Sequence, residues 1–409
     1  MRTPSSRTRA DTGVTAPLVR PHRVQLIVIL GALSAFGPLS LDMYLPALPA
    51  LAADLGASAA EAQLTLTACL LGLACGQIVA GPLSDALGRR RPLLAGLVGY
   101  TLASLICAAA PSVPVLVLLR LLQGVAGAAG IVIARAAVRD LFSGADVARF
   151  FSLTMLVNGL APILAPVIGG QVLRLTSWRG VFVVLTVVGL LLVLSALLGL
   201  PETLPSGRRR SGGLRATLHT YRRLLADPAL MRYSLASGLA MAAMFAYIAG
   251  SPFVIENLYG VSPQRFSLIF GTNAFGIVVL SQIGARLVGR AGAGRLLAAG
   301  LGVSLLGSLL LLASVTLGAG LAGILPAFFL IVASIGLIGP NATALALADH
   351  PQTAGSASAL IGVMQYIFGA VVAPLVGLGG MATAMPLAVV IVSLSVLANA
   401  IFVIGRGHD

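Results

Sequence analysis

Gly81-Pro-Leu-Ser-Asp85-Ala-Leu-Gly88-Arg89-Arg90-Arg91-Pro-Leu93 is a polar, charged island between two long apolar runs, roughly 60–83 and 92–110. Each run reaches the length of about 20 apolar residues that a helix needs to cross hydrocarbon. An acid, three consecutive arginines and two glycines crowd into the short interval between them. The stretch therefore reads as a tight loop joining two membrane spans on one face of a bilayer.

The rest of the chain extends this pattern. Of 409 residues, 58% are hydrophobic and only 9% are charged, against about 25% charge in a soluble domain. So few charges cannot cover a water-facing surface, which excludes a soluble enzyme, a nucleic-acid binder or a disordered protein. Twelve apolar runs can be read, at roughly 24–50, 60–83, 92–110, 113–136, 148–173, 179–200, 233–258, 264–288, 295–316, 320–346, 354–378 and 382–404. The longest connection, 201–232, is rich in Arg, Ser, Gly and Pro. The expected fold class is an all-α membrane protein of twelve transmembrane helices in two six-helix, pseudo-symmetric halves. Its units are a disordered cytoplasmic tail (1–22), an N-terminal half (23–200), a cytoplasmic linker (201–232), a C-terminal half (233–405) and a short cytoplasmic tail (406–409).

The net charge of +14 comes from 26 arginines with no lysine. With the N-terminus inside, 22 of them fall in cytoplasmic segments, while Arg174, Arg179 and Arg265 fall outside and Arg120 lies within a span. This asymmetry follows the positive-inside rule and places both termini in the cytoplasm. The basic charge is then topology, not a nucleic-acid footprint. Cys69, Cys75 and Cys107 lie in apolar runs and read as packing residues. The four histidines are scattered, with no metal spacing.

The two halves share a weak repeat. Leu83, Gly88, Arg91 and Leu93 recur without gaps as Leu287, Gly292, Arg295 and Leu297, while Asp85 becomes Gly289. Two six-helix repeats around a midplane site are one architecture of secondary transporters. The 81–91 stretch resembles the helix 2–3 loop signature of the major facilitator superfamily. Several further motifs resemble its Bcr/CflA (bicyclomycin/chloramphenicol resistance) drug-efflux subfamily. They are Asp42-Met-Tyr-Leu-Pro-Ala-Leu-Pro49, Arg120-x-x-Gln123-Gly124, Ala161-Pro162-Ile-Leu-Ala-Pro166-Val-Ile-Gly169-Gly170, Leu200-Pro-Glu202-Thr, Gly250-Ser-Pro252-Phe, Pro340-Asn341 and Ala357 to Gln365.

Charge within hydrocarbon costs about 2.5–3.5 kcal/mol on insertion scales. The clear cases here are Asp42, Arg120 and Glu256. Asp42 and Arg120 both sit about 10 Å below the outer interface at 1.5 Å rise per residue, so they are expected to be able to meet. They read either as a packing ion pair or as a proton-binding carboxylate with its modulator. The resemblance implies a proton-coupling role for Arg120. Glu256 reads either as a second protonation site or as a wet interfacial group.

The resemblance gives Gly81, Asp85, Gly88 and Arg89 a gating role, tying helix 2 to the opposite half when the cavity faces outward; a purely topogenic arginine cluster is the competing reading. It adds Gln123 and Gly124 to that group. It also makes Pro162, Pro166, Gly169 and Gly170 an antiporter-type segment. Pro162 and Pro166 are four apart and share a helix face. Candidate cavity residues are Met43, Tyr44, Met244, Tyr247, Asn273, Asn341, Gln365 and Tyr366, joined by Met241 and Phe245. Hydrogen bonding between helices is the competing reading of the amides.

No phosphate loop, nucleophile elbow or metal set is present, so no enzyme activity and no cofactor beyond a proton gradient are expected. The expected protein is a monomeric, proton-coupled antiporter of the cytoplasmic (inner) membrane, exporting small lipophilic drugs. Its partners are the substrate and the bilayer. A proton-coupled importer of a metabolite or sugar and a non-transporting membrane sensor or scaffold are the alternatives.

Overall fold

A computed structural model describes residues 20–141, 145–209, 220–350, 353–377 and 383–404. Residues 1–19 of the tail expected to be disordered, the short tail 406–409 and residues 210–219 of the linker lie outside these residues, whereas Arg20, Pro21 and His22, expected to belong to the disordered tail, begin the first helix. All regular structure among the described residues is helical. The spans are α1 (Gln25–Asp54), α2 (Ala59–Leu87), α3 (Arg90–Ala108), α4 (Val113–Leu141), α5 (Ala145–Leu175) and α6 (Trp178–Gly199). After the linker follow α7 (Pro228–Leu258), α8 (Pro263–Ala291), α9 (Ala293–Thr316), α10 (Gly320–Leu347), α11 (Ala354–Gly377) and α12 (Met385–Ile404).

Local chemistry sets the span limits. Ser58 and Glu61 form a reciprocal capping box at the start of α2, with Ser58 N donating to Glu61 Oε2 at 2.8 Å and Glu61 N donating to Ser58 Oγ at 3.2 Å. Asp227 accepts from Ala229 N and Leu230 N at 2.8 and 3.1 Å, so α7 begins at Pro228, earlier than its apolar run suggests.

Two spans are irregular. The first comprises helical pieces Arg20–Ser34, Phe36–Asp42 and Leu48–Asp54, with a 3₁₀ turn at Leu45–Ala47. Pro38, Pro46 and Pro49 each lack the amide hydrogen that would carry the helix through. The seventh is α-helical to Pro252 and then widens into a π-turn over Phe253–Leu258, a form concentrated at functional sites.

Small residues set the tightest contacts. A Cβ on Gly124 of α4 would lie 2.3 Å from the Cys69 carbonyl oxygen of α2, and one on Gly336 of α10 would lie 2.2 Å from the Ile277 carbonyl oxygen of α8. Backbones approach this closely only where a side chain is missing. The loop repeat is also a backbone repeat, since Gly88 and Gly292 both end their helices at positive φ, +91° and +80°. Large apolar side chains such as Leu191, Leu198, Leu306 and Val403 point outward, as a lipid-facing surface requires. The halves meet along α2 against α11 and α5 against α8.

Candidate functional site

A cavity of about 230 Å³ opens between the halves. Gly37, Pro38, Leu41 and Asp42 of α1 and Pro162 of α5 form one wall. Met241, Met244, Phe245, Tyr247 and Ile248 of α7, Phe270, Ala274 and Ile277 of α8, Val332 of α10, and Gln365 and Tyr366 of α11 form the other. Asp42 is the one charged residue in this lining. It is 7% exposed, and none of the described residues bonds or ion-pairs with its carboxylate.

Asp42 ends a helical piece, and directly after it the α-helix gives way to a turn at Met43 and Tyr44 and then to the 3₁₀ segment. The break is wedged by α5, because a Cβ on Gly169 would sit 1.8 Å from the Met43 carbonyl oxygen. The adjacent Gly170 faces α8 instead, with Ser267 Oγ 2.5 Å from its Cβ position. The two glycines thus let α5 touch the broken span and the opposite half at one level. Pro162 lines the cavity, whereas Pro166 is buried away from it.

Asp42 and Arg120, whose depths allow them to meet, form no ion pair or hydrogen bond among the described residues. Arg120 is fully buried, donates to the Ser40 carbonyl at 3.0 Å and to Gln123 Oε1 at 2.5 Å, and stands 4.7 Å over the Tyr44 ring and 5.6 Å from that of Phe182. Gln123 passes the chain on to Ser104 Oγ at 2.7 Å, and Tyr100 OH lies 2.7 Å from Ser40 Oγ. The broken backbone turns Asp42 toward the cavity while Tyr44 turns back toward α4. Linear distance along two straight helices could not reveal this.

Other expected cavity residues divide similarly. Met244, Tyr247, Gln365 and Tyr366 line it. Met43 and Tyr44 do not; they are buried within the N-terminal half, Tyr44 bonded to Thr65. Asn273 stands behind the wall, its Nδ2 donating to Tyr247 OH at 2.9 Å. Asn341 donates to the Leu337 carbonyl of its own helix at 2.7 Å and is not in the lining. Glu256 lies in the π-turn, partly buried, and its Oε1 finds no hydrogen-bond partner among the described residues. Phe270 and Pro38 were not anticipated. Phe266, Phe270, Asn273, Ala274 and Ile277 follow helical spacing on α8, the signal that could have found Phe270.

At the linker end, Arg89 is buried among Asp85, Asp140 Oδ2 at 2.9 Å and Ser84 Oγ at 2.8 Å. Glu202 accepts from Arg89 N at 2.8 Å, Arg90 N at 3.2 Å and Leu204 N at 3.0 Å. Burial works against the Glu202 anion. The backbone donors and the Arg209 charge outweigh it and hold this carboxyl below its ordinary range. Gly88 is doubly constrained, since a Cβ there would lie 2.4 Å from Glu202 Oε2. A Cβ on Gly81 would reach only ordinary contact with Val132, at 3.8 Å. All these partners of Arg89 belong to the N-terminal half and its exit. Among the described residues no hydrogen bond or ion pair joins Arg89 to the opposite half, a tie that the resemblance implies for the outward-facing state.

The opposite end is latched between halves. Gln63 Nε2 donates to the Ala249 carbonyl at 3.0 Å, Thr67 Oγ1 to the Ala370 carbonyl at 2.9 Å, and Gln264 Nε2 to the Gly170 carbonyl at 2.9 Å.

Two six-helix halves, latched at one end around an apolar cavity with a single acid, make the arrangement of a secondary transporter rather than an enzyme. The family model described as Major Facilitator Superfamily matches residues 30–374, and the chain belongs to that superfamily. It is 40% identical to the "Uncharacterized MFS-type transporter YdgK" of Bacillus subtilis (strain 168), over 93% of this chain and 95% of that one. It is 34% identical to the "Bicyclomycin resistance protein homolog" of Haemophilus influenzae, over 88% and 91% of the two chains. It is 31% identical to the "Chloramphenicol resistance protein" of Pseudomonas aeruginosa, over 70% and 67%. These relatives bear out the Bcr/CflA resemblance carried by the motifs. Among solved structures, a bacterial homologue of the human lysosomal transporter Spinster superposes with a TM-score of 0.75 at 15% identity, covering 94% of this chain and 97% of that one.

Proposed function

We propose that this multi-pass membrane protein is a proton-coupled antiporter that exports small lipophilic drugs by alternating access. The observation that carries the reading is Asp42, an acid without a partner among the described residues, at a helix break and in the wall of an apolar cavity shared by both halves. A group so placed is open to the cargo and, when the cavity turns, to the proton. An ionisable residue inside a membrane domain marks such a relay by default. Arg120 and its hydrogen bonds hold the segment preceding the break. Glu256, in the π-turn that ends the seventh span, is the candidate for a second proton site.

The names of the relatives support drug export as the direction. Asp42 accepts an external proton when the cavity faces out, which releases the drug. The protonated carrier then turns inward and loses the proton as drug binds. The latch of Gln63, Thr67 and Gln264 closes the outer end in the inward state, and Gly81, Asp85, Gly88 and Arg89 act on the inner end. Arginine asymmetry supports cytoplasmic termini in an inner membrane. One elementary charge crossing 100 mV supplies about 2.3 kcal/mol, so the proton gradient can drive the cycle without a cofactor; the working unit in this reading is a monomer.

The test is Asp42→Asn in proteoliposomes. The parent releases protons when drug is added, and the variant does not. Normal drug-dependent proton release by the variant overturns the assignment. In intact cells, an exporter accumulates more labelled drug when uncoupled and an importer less, which separates the two directions.

A further inference from the structure

A second recess lies away from the central cavity, on the lipid-facing side of the N-terminal half. It is a groove of about 500 Å³ between α2, α3 and α4. Helix packing explains it. α2 and α3 both pack closely on α4, where a Cβ on Gly76 would lie 2.5 Å from the Val125 carbonyl oxygen and one on Gly96 would lie 2.5 Å from the Ala129 Cβ. They touch each other far less. The cleft left between them is lined by the small residues Gly76, Ala80, Gly99 and Ala126, and by Leu102 and Leu122, both about half exposed. It runs from Leu83 and Pro92, beside the arginine-rich loop, to Ile106 toward the far end of α3. From Pro92 to Ile106 is about 21 Å at 1.5 Å rise per residue, against about 15 Å for one leaflet's share of the hydrocarbon core. An unfilled cleft of this kind forfeits dispersion contacts along its whole lining.

Charge marks the mouth of the groove. Of the three arginines in the loop, Arg89 is held by Asp85, Asp140 and Ser84, and Arg90 donates to the Leu197 carbonyl at 2.7 Å. Arg91 is exposed and makes no hydrogen bond or ion pair among the described residues. It stands one turn before Ala95 and two before Gly99, on the groove face of α3. Asp85 is nine residues, and so half a rotation, from Gly76 on α2; it faces away from the groove toward Arg89.

We infer that this groove is a binding site for one anionic phospholipid of the arginine-rich leaflet, an acyl chain lying in the cleft and the headgroup anion at Arg91. A zwitterionic lipid fills the cleft equally well but brings no net charge to Arg91. A second copy of the chain suits the face less, because a two-fold contact sets the same patch on both copies and brings two Arg91 charges to one level. Occupancy of the groove is independent of the cargo and of the direction of transport.

The experiment is native mass spectrometry of the purified full-length chain in detergent, titrated with phosphatidylglycerol and with phosphatidylcholine of the same acyl chains. The parent retains one lipid and prefers phosphatidylglycerol by about fivefold, the effect of one arginine on an anionic headgroup. Arg91→Gln brings the preference close to unity, and Arg91→Lys, which keeps the charge, keeps it. Ala95→Leu, at an exposed position in the groove, weakens retention of both lipids while melting like the parent. A parent without preference for phosphatidylglycerol, an unchanged preference in Arg91→Gln, or parent-like retention in Ala95→Leu overturns the inference. So does a lipid-free dimer that Ala95→Leu dissociates, which would make the groove a contact between copies.

Discussion

Alanine at Gly169 tests whether α5 and the broken first span are truly in backbone contact. The added Cβ would lie 1.8 Å from the Met43 carbonyl oxygen and 2.9 Å from its carbon. To reach an ordinary contact distance the backbones must part by roughly 1.5 Å. No rotamer relieves the clash, because the obstacle is main chain. Overpacking of this kind costs about 1–3 kcal/mol, and replacing a helical glycine by alanine returns about 0.5–1 kcal/mol. The net expectation is destabilisation of up to about 2.5 kcal/mol. Gly302 of α9, with nothing within 4 Å of its Cβ position, is the control in which only the helix gain remains. Purified Gly169→Ala should unfold several degrees below the parent, and Gly302→Ala at or slightly above it. Both should be scanned at one heating rate, since melting of such proteins is irreversible. Met43 follows Asp42, so Gly169→Ala should also slow drug-driven proton release. A Gly169→Ala protein that melts and transports like Gly302→Ala would refute the close approach of α5 to the break.

Three further outcomes are expected. Glu202→Gln should lower thermal stability at neutral pH. Because the folded-state pKa is depressed, the carboxylate's contribution is complete above its unfolded value of 4.5 and fades as pH falls through the lower folded value. The difference in melting between parent and variant should therefore shrink below about pH 4.5, and a gap that widens there would refute the reasoning. Arg120→Lys should lose most transport and melt lower despite keeping the charge, since an ammonium cannot reproduce the planar contacts to Ser40, Gln123 and the Tyr44 ring; parent-like flux would contradict this. Combined Gln63→Ala and Gln264→Ala removes two bonds between halves worth about 0.5–1.5 kcal/mol each. Spin labels on exposed Ser58 and Asn257 should then show a larger population of long distances, and an unchanged distribution would argue against the latch.

Much of the architecture was legible because hydrocarbon imposes a simple rule on the chain. Apolar runs near span length, arginine-rich connections and the repeated loop pattern were enough to number the helices. The repeat from Gly88 to Gly292 looked slight as letters, yet both glycines hold the same positive-φ turn. Cavity residues were only partly legible. Tyr247, Met244, Gln365 and Tyr366 were anticipated from residue type, but the same reasoning included Met43, Tyr44 and Asn341. Which face of a span looks inward depends on rotation about its axis, and several prolines interrupt that rotation in α1. Glu202 was recognised within a motif, but its acceptance of the Arg89 and Arg90 amides joins residues more than a hundred positions apart.

The sequence alone determined the solvent of this protein, its span count, its two-part division and the rarity of ionisable groups inside it. These follow from composition and from the cost of burying charge, which act on each segment locally. The tertiary structure decided that Asp42 faces the cavity while Arg120 is engaged elsewhere, and that Gly169 and Gly170 bind α5 to two different neighbours. Those facts arise where a helix breaks and backbones meet without a side chain between them. They depend on the relative placement of distant segments, which no single stretch of the chain specifies.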